Sequence, residues 1–189
     1  MPASLDDFIA TPTVRERHET VVSAPAEVVF ATACDFDLLS IPLVHAIFWL
    51  RSRFFRATPP PRSWKGLVAE TRGLGWGSLV EVPHRLYVAG AACQPWVGDV
   101  VFTAIPADRF AAYAEPNMVK IIWTVEAEPL GPERTRLATE TRVQPTDEHA
   151  RQRFRRYWRL TGTGIVLIRW LLLPAIRREA ERRWHSPAP

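Results

Sequence analysis

Few of the residues that build reactive or metal-binding sites occur in this sequence. Two cysteines, Cys34 and Cys93, and five histidines stand among 189 residues. Two cysteines make no disulfide framework, and the histidines show no ligand spacing such as HExxH. The Walker loop of nucleotide-binding proteins and the GxSxG turn of serine hydrolases are also missing. We therefore expect no metal, no cofactor and no hydrolase activity, and we interpret both cysteines as small packing residues.

Lysine is scarce too, since two Lys stand against 22 Arg. Ten of the arginines lie from Arg151 onward, where Glu179 and Glu181 are the only acidic residues. The positive charge therefore belongs to one C-terminal segment, which we interpret as the solvated face of an amphipathic helix. Nucleic acid is not an expected partner, because the aromatic residues are not interleaved with arginine on an exposed strand.

A secretory signal and a long apolar run are absent from the sequence. The first residues, MPASLDDF, have neither a basic n-region nor an apolar h-region, so we expect a cytoplasmic protein. The longest apolar run near the end, residues 165–173, is about half of the roughly 20 residues that a membrane span needs. It also contains Arg169. We expect that the chain does not cross a bilayer.

The first third of the chain is predicted to contain one strand and two helical pieces. Residues 1–12 are interpreted as a loose arm, and residues 13–22 have the pattern of a strand. Pro25 then suits the start of a short helix. A second helical piece, residues 38–56, ends before the consecutive prolines at 59–61, which cannot continue it.

The middle of the chain is predicted to form a meander of strands, at residues 78–82, 85–93, 100–105, 119–128 and 136–143. Within residues 119–128, large apolar side chains alternate with polar ones, which is typical of a sheet with one wet face. The side predicted to face the last helix carries Val119, Ile121, Trp123 and Val125. The side predicted to lie in water carries Lys120, Thr124 and Glu126.

A long amphipathic helix is predicted to follow Asp147, which is a good N-cap. Its apolar positions fall within one arc of roughly 100° and are Phe154, Trp158, Thr161, Ile165, Ile168, Leu172 and Ile176. Gly162 and Gly164 weaken the centre of this helix, and Pro174 is expected to kink or break it unless it opens a new segment. Small residues at 161, 162 and 164 leave space opposite a sheet, which a ligand or larger neighbours must fill.

Two stretches carry a resemblance to a known family: SAPAEVVF, at residues 23–30, and ETRVQPTDEHARQRFRRYW, at residues 140–158. With the order of the elements, they resemble a bacterial branch of the START-like or SRPBCC superfamily, which includes polyketide cyclases and lipid-transfer domains. The resemblance implies an α+β helix-grip domain over residues 13–184, between the arm at 1–12 and a tail at 185–189. A curved antiparallel sheet would wrap around the C-terminal helix, with an apolar cavity between them. The superfamily has no universal catalytic residues, so the resemblance assigns none.

The expected function is therefore binding of a small hydrophobic molecule, such as a lipid or a polyketide-like or aromatic compound, between sheet and helix. Arg169 lies at the margin of the apolar stripe, either as a side chain that reaches into water or as a partner for a ligand carboxylate. The residues expected to line the ligand are Ile47, Leu50, Leu79, Tyr87, Phe102, Ile121, Trp123, Val125, Thr139, Phe154, Trp158, Thr161, Ile165, Ile168 and Arg169.

Two other functions stay open from the sequence, and so does the oligomeric state. A cyclase or dehydratase would use polar cavity groups such as His84 or Tyr157, with Glu81 near His84 as a candidate proton-transfer partner. A lipid-binding module would contact a membrane surface, without crossing it, through the basic helix and the stretch RSRFFR at residues 51–56. Glu140 and Arg142, two apart on one strand, are expected to form surface ion pairs.

Overall fold

Antiparallel strand pairing organises the fold. In the computed structural model, which describes residues 4–55 and 66–186, five strands form one sheet in the order β1-β5-β4-β3-β2. The strands are β1 Val14–Val22, β2 Gly77–Val82, β3 Leu86–Cys93, β4 Val119–Gly131 and β5 Arg134–Pro145. The predicted strand at residues 100–105 is wrong, because only Thr103 makes an isolated bridge, to Ala92. The α+β class and the meander closed by a long helix are confirmed.

Six α-helices accompany the sheet in the described ranges. They are α1 Leu5–Phe8, α2 Ala26–Asp35, α3 Pro42–Phe55, α4 Leu67–Gly73, α5 Ala107–Phe110 and α6 Glu148–His185. Asp147 is the N-cap of α6, and its carboxylate accepts hydrogen bonds from the backbone N–H groups of Ala150 and Asn117, both at 2.6 Å. These bonds stabilise the ionised carboxylate and lower the pKa of Asp147.

Helix α6 runs for 38 residues and continues through Pro174, so the break that the sequence allowed there does not occur. Pro174 is exposed, so the backbone carbonyl that loses its partner there faces the solvent side of the helix. Leu172, Leu173 and Ile176 on either side of the proline are buried against the sheet. Their packing holds the helix together against the roughly 3 kcal/mol that an internal proline costs.

One face of the sheet, which we call the inner face, packs against α6. Two apolar clusters lie there. Near the start of α6, Phe154 and Tyr157 pack with Val119 and Val143, and Ile121 lies against the same cluster. Near its end, α6 packs with α2, α4, β4 and β5 in a cluster that includes Leu172, Ile176, Val29, Leu67, Val125 and Leu137, with Trp123 packed against it. The predicted inner side of β4 is therefore confirmed.

The opposite face, which we call the outer face, is covered and not wet. Lys120 and Thr124 are 5% and 2% exposed, so the expectation that they lie in water is wrong, whereas Glu126 is 39% exposed. The cover consists of α1 and α5, whose Phe8 and Phe110 pack with Ile9, Val88 and Ile122. Phe8 and Ile9, within the segment interpreted as a loose arm, are buried in this cluster.

Lys120 is accommodated on this covered face by backbone oxygens. Its Nζ donates hydrogen bonds to the carbonyls of Ala111, at 2.8 Å, and Phe110, at 3.4 Å, which end the short helix α5. Burial disfavours the charged amine and lowers the pKa of Lys120. The side chain thus ties α5 to the centre of the sheet.

Glu140 and Arg142 form the predicted pair, but it is buried instead of lying on the surface. Their side chains are 2% and 6% exposed, and Arg142 Nε donates to Glu140 Oε1 at 2.7 Å. Arg142 also binds the Asp6 carboxylate and the Ile9 carbonyl, while Arg15 donates to Glu140 at 2.9 Å. The network joins the N-terminal segment to β1 and β5.

Candidate functional site

The space between the inner face and α6 is closed. Where the cavity was expected, the side chains leave a volume of about 10 Å³, and one water molecule already needs about 10–15 Å³. The lining residues are Ala33, Leu67, Trp123, Val125, Leu137, Ala138, Thr139, Leu172, Leu173 and Ile176. In this conformation the protein holds no ligand-sized space at that position.

No cavity results beside the small residues of α6, because neighbouring side chains fill the space there. A Cβ on Gly162 would lie 2.9 Å from Cε2 of Trp158, and a Cβ on Gly164 would lie 3.4 Å from Cγ2 of Ile47. The two glycines therefore admit a tryptophan of the same helix and an isoleucine of α3. The Thr161 hydroxyl donates to the Tyr157 carbonyl at 3.0 Å. The missing side-chain volume is filled by neighbours, which is the second of the two outcomes that the sequence allowed.

Gly164→Ala is expected to raise the free energy of unfolding by about 0.5–1 kcal/mol, because alanine favours the helix and its methyl group meets Ile47 at ordinary contact distance. Gly162→Ala is the matched change. Its methyl group would overlap the Trp158 indole, so we expect a smaller gain or a loss. Urea unfolding of both variants checks this, and equal gains would show that Trp158 does not occupy the space beside Gly162.

An open groove of about 560 Å³ runs along another side of α6. Its lining residues are Trp158, Arg159, Gly162, Thr163, Val166, Leu167 and Trp170. They form neighbouring rows with the four-residue spacing of a helix surface, and the Trp158 indole packs over Gly162 within one of these rows. The volume lies within the roughly 300–1,000 Å³ of typical ligand pockets, and because all seven lining residues belong to α6, the groove is shallow and open to solvent.

The ends of the groove are marked by an arginine and a tryptophan. Arg159 is exposed, and Trp170 is 67% exposed, with its indole edge-on to the His18 ring at a centroid distance of 6.3 Å. His18 lies on β1 with its Nε2 3.5 Å from Glu16 Oε2. The groove therefore reaches the edge strand of the sheet.

Arg169 faces the sheet, and it lines neither the closed space beneath α6 nor the groove along α6. Its guanidinium donates to the hydroxyls of Thr139, at 3.4 Å, and Thr141, both on β5. No carboxylate lies within ion-pair distance of it among the described residues, and burial lowers the pKa of Arg169 to about 10. Arg169 is thus a partly buried cation held by threonines, not a group at an open rim.

The other expected site residues separate into several environments. Trp158 lines the groove, whereas Trp123, Val125 and Thr139 line the closed space. Tyr87 is buried beside Trp123, with the Arg72 guanidinium 5.4 Å from its ring centre. The residues packed within or beside the cluster at the start of α6 are Ile121, Phe154 and Ile165. Thr161 and Ile168 are half-buried on α6.

Four expected residues lie away from the space between sheet and α6. Leu79 packs on the outer face, and Phe102 contacts the Trp76 ring at 5.0 Å. Ile47 meets α6 at Gly164, and Leu50 is 60% exposed on α3. Val166, Leu167 and Trp170 were not among the expected residues, and their signal in the sequence is their apolar character outside the buried arc of α6.

The residues named for proton transfer are not assembled. His84 is exposed in the turn between β2 and β3, with a positive φ of 59°. Glu81 is engaged by Arg72, at 2.5 Å, and by the Ser78 hydroxyl. Those donors lower the pKa of Glu81 and favour its ionised form. Tyr157 is buried in the cluster at the start of α6.

Over residues 4–55 and 66–186, no group of three or more His, Cys, Asp or Glu could hold a metal ion.

By length and composition, α6 contains a stretch apolar enough to cross a membrane, with a mean hydropathy of 1.4 over 18 residues. Only 22% of that stretch is buried. The flanking turns of the same helix pack on both inner clusters, so α6 is the core helix of this fold.

No protein-family model and no curated protein matches the sequence. Solved structures do resemble the fold. A conserved protein from Geobacillus kaustophilus is 12% identical, with 90% of this chain and 97% of that chain covered and a TM-score of 0.44. Zhui aromatase/cyclase from Streptomyces is 18% identical, with 90% and 94% covered and a TM-score of 0.31. Norcoclaurine synthase from Thalictrum flavum is 10% identical, with 100% and 96% covered and a TM-score of 0.37. The description of the fold as a helix-grip rests on the sheet and helix described above.

Proposed function

We propose that the protein binds a small hydrophobic molecule, and that the molecule lies in the groove along α6 instead of the closed space beneath it. Membership of the START-like superfamily and a cytoplasmic location are parts of the same proposal. The observation that carries it is the 560 Å³ groove with four large apolar side chains, beside an interior that leaves about 10 Å³.

The chemistry of the groove defines the class of ligand. Trp158 and Trp170 offer flat aromatic surfaces, and Val166 and Leu167 provide an aliphatic wall. Such a surface favours rigid aromatic or polycyclic molecules, which bury apolar area and lose little conformational freedom on binding. Arg159, at the margin, has no carboxylate partner among the described residues and can pair with one acidic substituent.

The structure favours a binding protein over the cyclase or dehydratase alternative. General acid–base catalysis needs a titratable group within about 3 Å of the reacting atom. The groove is lined by aliphatic, aromatic and small residues and one arginine, and it contains no His, Asp, Glu, Tyr or Cys among its described lining residues. The geometry therefore supports recognition of the ligand without chemistry on it.

The proposal predicts that anilinonaphthalene sulfonate, an aromatic anionic dye, binds the wild-type protein with increased fluorescence. Val166→Trp should fill the groove and weaken dye binding at least about tenfold, since burying one aromatic ring contributes well over 1.4 kcal/mol. Thr163→Trp, at an exposed lining position, provides a second filling variant that leaves the core untouched.

The matched control is Leu160→Ser, which removes an apolar side chain from the same helix outside the groove and should leave the dye affinity unchanged. Melting temperatures establish that the variants are folded. Unaltered affinity in both filled variants would refute the groove as the binding site.

A further inference from the structure

An apolar surface remains uncovered where α3 crosses α6. Ile47 of α3 contacts Gly164 of α6 at the crossing. Leu43 and Leu50 lie four residues before and three after Ile47, and Leu160 and Leu167 flank Gly164 at the same spacing. Residues three and four apart share a helix face, so the leucines of each helix lie on the side of the crossing. We call Leu43, Leu50, Leu160 and Leu167 the apolar ridge.

The ridge is exposed to a degree that is unusual for leucine. The exposed fractions are 47% for Leu43, 60% for Leu50, 71% for Leu160 and 40% for Leu167. Trp49 and Trp170, on the same two helices, are 62% and 67% exposed. Several exposed leucines on one side of a helix crossing usually mark a place where another molecule binds.

The charge around the ridge has one sign. Residues 151–178 of α6 contain eight arginines and no acidic residue. Arg156, one turn before Leu160, is exposed, and so is Arg53, three residues after Leu50 on α3. In the part of the chain that the structure describes, neither arginine makes an ion pair with a carboxylate. The apolar ridge therefore combines exposed leucines with uncompensated positive charge.

We propose that the apolar ridge docks the protein onto an anionic lipid surface. The leucines would enter the boundary between headgroups and acyl chains, and the arginines would bind lipid phosphates. A second copy of the chain fits less well, because pairing the same face would bring the arginines of both copies together. Since α6 is held on the sheet by its buried side, it would lie along the membrane surface and not across it.

The test is co-sedimentation with vesicles at about 0.1 M salt. The wild-type protein should bind vesicles of phosphatidylglycerol and phosphatidylcholine, and it should stay in the supernatant with phosphatidylcholine alone. The triple variant Leu43→Ser, Leu50→Ser, Leu160→Ser should lose at least about tenfold in vesicle affinity, and Arg53→Gln with Arg156→Gln about fivefold per arginine. None of these residues lines the groove, so dye binding should be unchanged in every variant.

The matched control is Val101→Ser with Leu130→Ser, which removes two exposed apolar side chains outside the ridge and should leave vesicle binding intact. Wild-type protein that remains in the supernatant with anionic vesicles would refute the proposal. Equal losses in the triple variant and the control would refute it too.

Sedimentation velocity without lipid tests self-association. If the wild-type protein is a dimer and the triple variant is a monomer, the ridge is a contact between two copies of the chain and not a lipid-binding surface. The groove is tested by Val166→Trp and Thr163→Trp, and the apolar ridge by the leucine and arginine substitutions. Failure of the dye experiment would therefore refute the groove without refuting the ridge.

Discussion

Glu140→Gln is expected to lower the free energy of unfolding by about 3 kcal/mol. Breaking a buried ion pair by removing one partner costs about 3–5 kcal/mol, because the remaining charge stays buried without compensation. We expect a loss at the lower end of that range, because Arg142 keeps its ion pair with the Asp6 carboxylate and its hydrogen bond to the Ile9 carbonyl. Arg15 is 56% exposed and can return to water.

The same carboxylate makes the stability depend on pH. Burial by itself would raise the pKa of Glu140, but hydrogen bonds from Arg142 and Arg15 outweigh it and hold the pKa below the ordinary value of 4.5. Because the folded pKa is depressed, the stabilisation is fully present above about pH 4.5. It is lost as the pH falls through the lower folded value. Glu140→Gln should remove this part of the acid dependence.

Urea unfolding between pH 7 and pH 3 measures both effects. The control is Glu128→Gln, which breaks the exposed pair with Arg136, at 3.5 Å, and should change stability by less than about 1 kcal/mol. Equal and small effects of the two substitutions would show that Glu140 is solvated, and the covered outer face would then be wrong.

Phe110→Ala is expected to cost about 3–5 kcal/mol, the usual range for a fully buried phenylalanine. The Phe110 side chain is 0% exposed, meets the Phe8 ring edge-on at 6.0 Å and lies over Gly90 in the middle of β3. A Cβ on Gly90 would come within 2.7 Å of its ring, so the glycine is what lets α5 approach the sheet. Removing the ring would leave a cavity between α5 and the sheet.

Val101→Ala is the control for this substitution, because Val101 is 74% exposed in the same segment between β3 and β4. We expect a change within about 0.5 kcal/mol there. Thermal unfolding of both variants decides the result. A loss below about 1 kcal/mol for Phe110→Ala would mean that α5 does not cover the outer face in solution.

The architecture could be predicted because strand alternation and helix periodicity are local. The alternation from Val119 to Val125 placed the correct side chains toward α6, and Asp147 marked the start of that helix. The cover of the outer face could not be read in the same way. Lys120, Glu140 and Arg142 are typical surface residues, and only the long-range contacts to Phe110, Asp6 and Ile9 reveal that they are buried.

The candidate site could be predicted only in part, for a related physical reason. A glycine on a buried stripe predicts missing volume, but the sequence does not say whether a ligand or a neighbouring side chain fills it. Trp158 and Ile47 take up the volume beside Gly162 and Gly164. The groove lies on the helix side that periodicity assigns to solvent, so Val166, Leu167 and Trp170 were not expected to form a site.

The most direct test of the proposed ligand site is a dye titration followed by the indole N–H signals of the tryptophans in ¹H–¹⁵N correlation spectra. Trp158 and Trp170 line the groove, whereas Trp123 faces the closed space between sheet and α6. Single Trp→Phe substitutions assign the three signals. The account predicts that anilinonaphthalene sulfonate shifts the Trp158 and Trp170 signals in proportion to occupancy and leaves that of Trp123 in place. A shifted Trp123 signal with unmoved Trp158 and Trp170 signals would contradict it, and would place the ligand in an interior that opens to admit it.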